Sequence, residues 1–161
     1  MPPTVYIETS IVSYLAAYPS RDLITAAHRQ ITHTWWQKRR PEFLIFASQV
    51  VLDESAAGDP QMASRRTEIL KDVPLLEITP EVAELAATLI ARLPLPPRAG
   101  ADAAHIAVAA YHGMSFLLTW NCTHIANAAL RPRIEKICRE QGYSAPVLCT
   151  PEELAGGTED A

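Results

Sequence analysis

Residues 100–127 read G-A-D-A-A-H-I-A-V-A-A-Y-H-G-M-S-F-L-L-T-W-N-C-T-H-I-A-N. This stretch contains a helix, a turn, a buried strand and a polar strand end. Ala, Ile and Val dominate residues 101–112, which is too apolar for a solvated helix, so the helix is expected inside the protein. Gly113 stands just past it, where a helix-ending glycine belongs. Phe116-Leu117-Leu118 is a short apolar run of the kind found in strands covered on both faces. Polarity returns with Thr119, Trp120 and Asn121. A short turn forces helix and strand to run antiparallel. Asp102, in the first turn of the helix, and Asn121, at the end of the strand, then fall on the same sheet edge. In open α/β sheets the carboxyl ends of the strands are where ligands bind. Asp102 also has a plainer reading, as a carboxylate complementing the helix dipole.

The rest of the chain repeats this alternation. Thr4 to Ile7 (T-V-Y-I) is a β-rich apolar run suited to a first, central strand. It ends on Glu8-Thr9-Ser10, and Ile11, Val12, Tyr14 and Leu15 then suit a short helix. Glu8 therefore sits at a strand's carboxyl edge, either as a site residue or as a capping or solvated carboxylate. Residues 21–40 predict a long helix capped by Ser20, with Leu23, Ile24, Ala27, Ile31 and Trp35 on one apolar face. Its basic end, Lys38-Arg39-Arg40, suits a helix C-terminus or, beside Trp36, a phosphate- and base-binding patch. Residues 43–46 (F-L-I-F) predict a second strand. Ser48 opens a helix on which Val50, Val51 and Glu54 share a face. A carboxylate on an apolar face needs a partner, and a metal ion is one. Helices are expected over residues 60–71, from Thr79 as N-cap, and over 130–141; short strands are expected at 75–78 and 147–149. The order predicts an α/β domain with a mainly parallel sheet.

Composition narrows the class. The chain has 161 residues, 48% hydrophobic and 20% charged, which suits one soluble domain with a proper core. No apolar run approaches the roughly 18–20 residues needed to span a bilayer, and no signal peptide is evident at the N-terminus. Cys122, Cys138 and Cys149 are odd in number and lack C-x-x-C spacing. Free thiols and a cytoplasmic location are expected. The net charge of −4 arises in the tail, at Glu152, Glu153, Glu159 and Asp160; the remaining 14 acidic residues balance 14 basic ones. The neutral body neither favours nor excludes nucleic acid. No G-x-x-x-x-G-K-[ST] or G-x-G-x-x-G occurs, which argues against a nucleotide-binding α/β protein.

Glu8, Glu54, Asp102 and Asn121 are far apart in sequence, yet the topology sends all four to one edge. Converging carboxylates without a compensating Lys or Arg repel, and their hard oxygens favour Mg²⁺ or Mn²⁺. Such ions serve phosphodiester hydrolysis. His105, one helical turn after Asp102, reads as a packed histidine or as support for a metal ligand. His124 reads as a loop histidine or a substrate contact.

Four segments carry a family resemblance: V-Y-I-E-T-S-I at 5–11, V-V-L-D-E-S-A at 50–56, D-A-A-H-I-A-V-A-A at 102–110 and F-L-L-T-W-N-C-T-H-I-A-N at 116–127. In this order they resemble the PIN-domain family, and within it the VapC-like toxins of type II toxin–antitoxin pairs. The resemblance implies a three-layer α/β/α sandwich with a mainly parallel sheet. From the residues themselves the domain is expected over 1–150 with an acidic, disordered tail at 151–161, Thr150-Pro151-Glu152-Glu153 forming a capped final turn between them. The resemblance also implies an Mg²⁺- or Mn²⁺-dependent ribonuclease acting on RNA, a cognate antitoxin protein and a homodimer. Glu8 stands where the family has its first metal-binding Asp. Glu54 matches the acidic residue on the helix, and Asp102 the second metal-binding Asp. Asn121 takes the place of a fourth acid, in T-W-N where the family has T-x-D. Thr9 and Ser10 match the hydroxyl residues after the first carboxylate. Two departures stand out: Glu8 is one methylene longer than Asp, and Asn121 brings no charge. They leave open an alternative, a PIN-fold module that binds nucleic acid or protein without cleaving.

Overall fold

The computed structural model describes residues 1–156. Five strands form one sheet: β1 (Thr4–Ile7), β2 (Leu44–Ser48), β3 (Leu75–Leu76), β4 (Phe116–Leu118) and β5 (Val147–Cys149). Their order is β3-β2-β1-β4-β5, and every neighbouring pair is parallel. A parallel sheet needs cover on both faces. Accordingly Val5, Tyr6, Ile7, Leu117 and Leu118 are fully buried.

The chain moves from β1 outward to β2 and β3, then returns past β1 to β4 and β5. Right-handed crossovers place α1 (Thr9–Ala16), α2 (Leu23–Lys38), α3 (Gln49–Ser55) and α4 (Pro60–Leu70) on one face. The reversal places α5 (Pro80–Arg92), α6 (Gly100–Tyr111) and α7 (Arg131–Glu140) on the other. The packing agrees: α1 lies against α2, α3 and α4, while α5 lies against α6 and α7. The result is the expected three-layer α/β/α sandwich. The reversal between β1 and β4 makes a topological switch point, and the carboxyl ends of these two strands open there.

The Ala-rich α6 is buried along most of its length, at Ala103, His105, Ile106, Ala107, Val108, Ala109 and Ala110. Small side chains let α5 and the sheet approach it on several sides at once. Gly113 closes it with φ +67, a left-handed conformation that glycine adopts without a Cβ penalty.

Several local expectations change. The cap of α2 is Asp22, whose carboxylate accepts from the Thr25 N–H, rather than Ser20. The apolar face read along α2 is only partly used: Trp35 is buried, but Leu23 and Ile24 are 85% and 69% exposed. Hydrophobic spacing marks a possible interior face; neighbouring elements decide how far along the helix it is covered. At the other end of α2, Arg39 pairs with Glu42 and the Arg40 guanidinium lies 4.1 Å over the Trp36 ring. The basic end is thus occupied locally. The capped turn expected at Thr150 to Glu153 forms. Thr150 and Glu153 form a reciprocal cap: the Thr150 N–H donates to Glu153 Oε1 at 3.1 Å, and the Glu153 N–H to Thr150 Oγ1 at 3.3 Å. Trp35 Nε1 then donates to the Leu154 carbonyl at 3.1 Å. The turn is docked on α2 through this bond. The remainder of the expected tail, from residue 157, lies outside the described residues. Among the described residues no helix is long and apolar enough to cross a membrane, and all three cysteines are free.

The fully buried Leu117 sits between β1 and β5. Leu117→Ala should cost about 2–5 kcal/mol through lost burial and a residual cavity. Urea unfolding checks this: the midpoint falls while the slope is unchanged, and an unmoved midpoint would refute the packing described here.

Candidate active site

Glu8 leaves β1 at the switch point. Its N–H continues the ladder, donating to the Leu118 carbonyl at 3.0 Å. This places it beside the end of β4. Although Glu8 occupies the cap position of α1, its side chain caps nothing. It turns along the sheet edge instead and is only 6% exposed. Both of its donors reach one oxygen, Oε1: Ser10 Oγ, and Thr119 Oγ1 at 2.6 Å. Each hydroxyl is fixed in turn by a backbone N–H, Ser10 by that of Trp120 at 2.8 Å and Thr119 by that of Asn121 at 2.9 Å. Among the described residues no hydrogen bond reaches Glu8 Oε2.

Glu54 comes from α3 and repeats this pattern. Thr9 Oγ1 donates to its Oε1 at 2.6 Å, and His105 Nε2 lies 2.6 Å from the same oxygen. Oε2 again receives no hydrogen bond among the described residues. Partial burial pushes the Glu54 carboxyl upward, but the hydrogen bonds from His105 and Thr9 outweigh that, and it stays below the usual carboxylate value. Its neighbour Asp53 is exposed and bonded by Gln49 Nε2, as the helix spacing predicts.

His105 is wholly buried. Its Nδ1 lies 2.6 Å from the Tyr6 hydroxyl, which lies 2.8 Å from Ser48 Oγ. Burial, with the charges of Glu8 and Glu54, holds the Tyr6 hydroxyl far above its usual pKa, so it keeps its proton. Glu8, Glu54 and His105 carry ligand atoms that all lie within 4.8 Å of one another.

Asp102 occupies the first turn of α6. Its two oxygens are divided: Asn121 Nδ2 donates to Oδ1 at 3.0 Å, and His124 Nδ1 lies 2.8 Å from Oδ2. The Asn121 Oδ1 accepts from the His124 N–H at 2.9 Å, which fixes the amide with its NH₂ toward Asp102. Asp102 is therefore linked to the first group through Thr119-Trp120-Asn121 and through one turn of α6, but it is not part of the close set.

A family model for the PIN domain matches residues 5–121. The chain belongs to the PIN-domain family. Its fold resembles that in the crystal structure of Mycobacterium tuberculosis VapC20, described as a sarcin–ricin loop cleaving toxin. The two share 17% identity with a TM-score of 0.60, over 75% of this chain and 92% of that one. A search of curated proteins finds no match.

In this PIN domain all five residues singled out from sequence lie at the carboxyl edge of β1 and β4 or reach it. Glu8, Thr9 and Glu54 meet, and Asp102 meets Asn121. Of the expected metal ligands Glu8, Glu54 and Asp102, the first two lie in the close cluster and Asp102 stands beside it. His105 takes the third place in the close cluster, because Asp102 is drawn to Asn121 and His124 while His105 reaches across from the next turn of α6. The sequence offered His105 as packed or as supporting a ligand; it is packed, with its Nε2 against Glu54. Tyr6 and Thr119 were read only as strand and strand-end residues, and Ser48 as the residue that opens a helix. Nothing in their spacing marks them, since each acts through a contact with a distant segment.

Asn121 has a physical role in this PIN domain that an acid cannot fill without a cation. An aspartate there would oppose the Asp102 carboxylate at hydrogen-bond distance. Asn121→Asp should destabilise the protein in chelator by about 1–3 kcal/mol, the cost of a lost donor beside a partly buried charge. Millimolar Mn²⁺ should restore part of the loss. Thermal unfolding with chelator and with Mn²⁺ tests this, and equal stability of the two proteins in chelator would be the contrary result.

Proposed function

We propose that this PIN domain is a divalent-metal-dependent endoribonuclease, the toxin of a type II toxin–antitoxin pair. One observation carries the reading. Glu8 and Glu54 each have one oxygen held by two donors and the other left open, side by side at the switch point. No Lys or Arg pairs with either among the described residues. Two such carboxylates repel unless a cation joins them, and the donor set fits a divalent one. Mg²⁺ and Mn²⁺ are the candidates. Membership of the PIN family and the likeness in fold to a toxin of known structure support the same reading.

Glu8 and Glu54 would hold the cation through their open oxygens, with Asp102 adding a third carboxylate at the rim. Bound there, a divalent ion supplies an activated water and neutralises charge on the phosphate. The protein's own part is to orient. Thr9 fixes Glu54, Ser10 and Thr119 fix Glu8, and Asn121 fixes Asp102, so the carboxylates need little reorganisation when RNA binds. Hydrolysis adds the water oxygen to phosphorus and breaks one P–O bond; the carboxylates offer an acceptor for the proton that water gives up. A cognate antitoxin covering this edge, a homodimer and a cytoplasmic setting complete the proposal.

Asn121 favours a second reading, a PIN-fold module that binds without cleaving, because its neutral amide, with His124, already engages both oxygens of Asp102. Labelled RNA separates the two. On the first reading, cleavage appears with Mn²⁺ or Mg²⁺, stops in chelator, and falls about 10²-fold or more in Asp102→Asn and Glu54→Gln. RNA binding that is unchanged in chelator, with no cleavage under any metal, would establish the second.

A further inference from the structure

The Tyr6–His105 pair lies outside the residues assigned above, and its hydrogen bonds run in one direction. A carboxylate only accepts, so the bond at Glu54 Oε1 requires the proton on His105 Nε2. In the neutral ring Nδ1 then carries a lone pair and accepts from the Tyr6 hydroxyl at 2.6 Å. The Tyr6 oxygen is left to accept from Ser48 at 2.8 Å. Every group in this buried chain has a partner, and the chain ends on Glu54.

We infer that His105, held in its Nε2–H form by Tyr6, is a positioning residue that fixes Glu54 with its second oxygen toward the cation. This rests on the nuclease reading given above. Both ring nitrogens of His105 are already engaged by protein atoms. The ring is fully buried, whereas the Glu54 side chain is 37% exposed. A half-exposed glutamate on a short helix has several rotamers available, and two donors on one oxygen select one of them. Thr9 and His105 supply these donors from opposite faces of the sheet. Partners of this kind raise metal affinity without touching the metal.

The variants exploit the shape of the ring. His105→Gln can place an N–H where Nε2 stands, whereas His105→Asn is too short to reach Glu54 but keeps an amide near Tyr6. Tyr6→Phe removes a single oxygen. Mn²⁺ binding by calorimetry, on proteins whose folding is checked by circular dichroism and thermal unfolding, gives a readout independent of RNA cleavage. Compared with wild type, His105→Asn should bind Mn²⁺ about tenfold or more weakly, Tyr6→Phe should fall about threefold to tenfold, and His105→Gln should stay within about threefold. Folded His105→Asn or Tyr6→Phe protein that binds Mn²⁺ as tightly as wild type would overturn the role. So would a folded His105→Gln protein as weak as His105→Asn, because the imidazole itself would then be the ligand. Wild type that binds no Mn²⁺ would overturn the nuclease reading and this role with it; binding that is equal in all four proteins would overturn this role alone.

Discussion

The hydrogen bond between His105 and Glu54 joins a helix on one face of the sheet to a helix on the other. Tyr6 completes the link from the central strand, and Ser48 from its neighbour. Four elements distant in sequence thus share one buried polar chain. In a low-dielectric interior such a chain is strong when every member is satisfied and costly when one is not. The apolar packing below it, from Val5 and Ile7 through Ile106 and Leu117, brings the elements together. The polar chain then sets the register at which the carboxylates face one another, because only one arrangement satisfies all of its donors.

The site stores electrostatic tension. Glu8 is buried with two hydroxyl donors and, among the described residues, no cationic partner, and Glu54 stands close to it. Hydroxyl and imidazole donors relieve part of the repulsion but leave one oxygen of each carboxylate open. Stability alone would favour a lysine or arginine between them. Its absence is the usual mark of a site shaped for a ligand at some cost to the fold. Asp102 follows the opposite logic. Its oxygens are both engaged, by an amide and an imidazole, so it is settled without a cation. The replacement of the family's fourth acid by Asn121 is what allows this.

The helix, strand and turn in residues 100–127 were legible because burial on all sides, a glycine stop and a short apolar strand each leave a local mark. The parallel sheet followed from the alternation of elements, which sends Glu8, Glu54, Asp102 and Asn121 to one edge; the strand order did not, because it depends on which strands pair. Where the reading missed, it missed on matters between segments. Leu23 and Ile24 were assigned to an interior face that no neighbour covers. The capped turn at Thr150 to Glu153 was read from its own residues, but its docking on Trp35 was not. In both cases the local pattern is real, and the deciding contact lies more than a hundred residues away or is missing.

The sequence by itself determined the class of fold, the family and the carboxylates at the switch point, because periodicity, strand-end polarity and motif order are local properties. Only the tertiary structure decided which residues meet. That His105 reaches Glu54 rather than Asp102, that Tyr6 and Thr119 serve the site from within strands, and that Asp102 stands apart from the close group all depend on side-chain direction across the sheet. Helical spacing places Asp102 and His105 one turn apart, but the direction of each hydrogen bond is set by donors supplied from other elements. No local pattern encodes this.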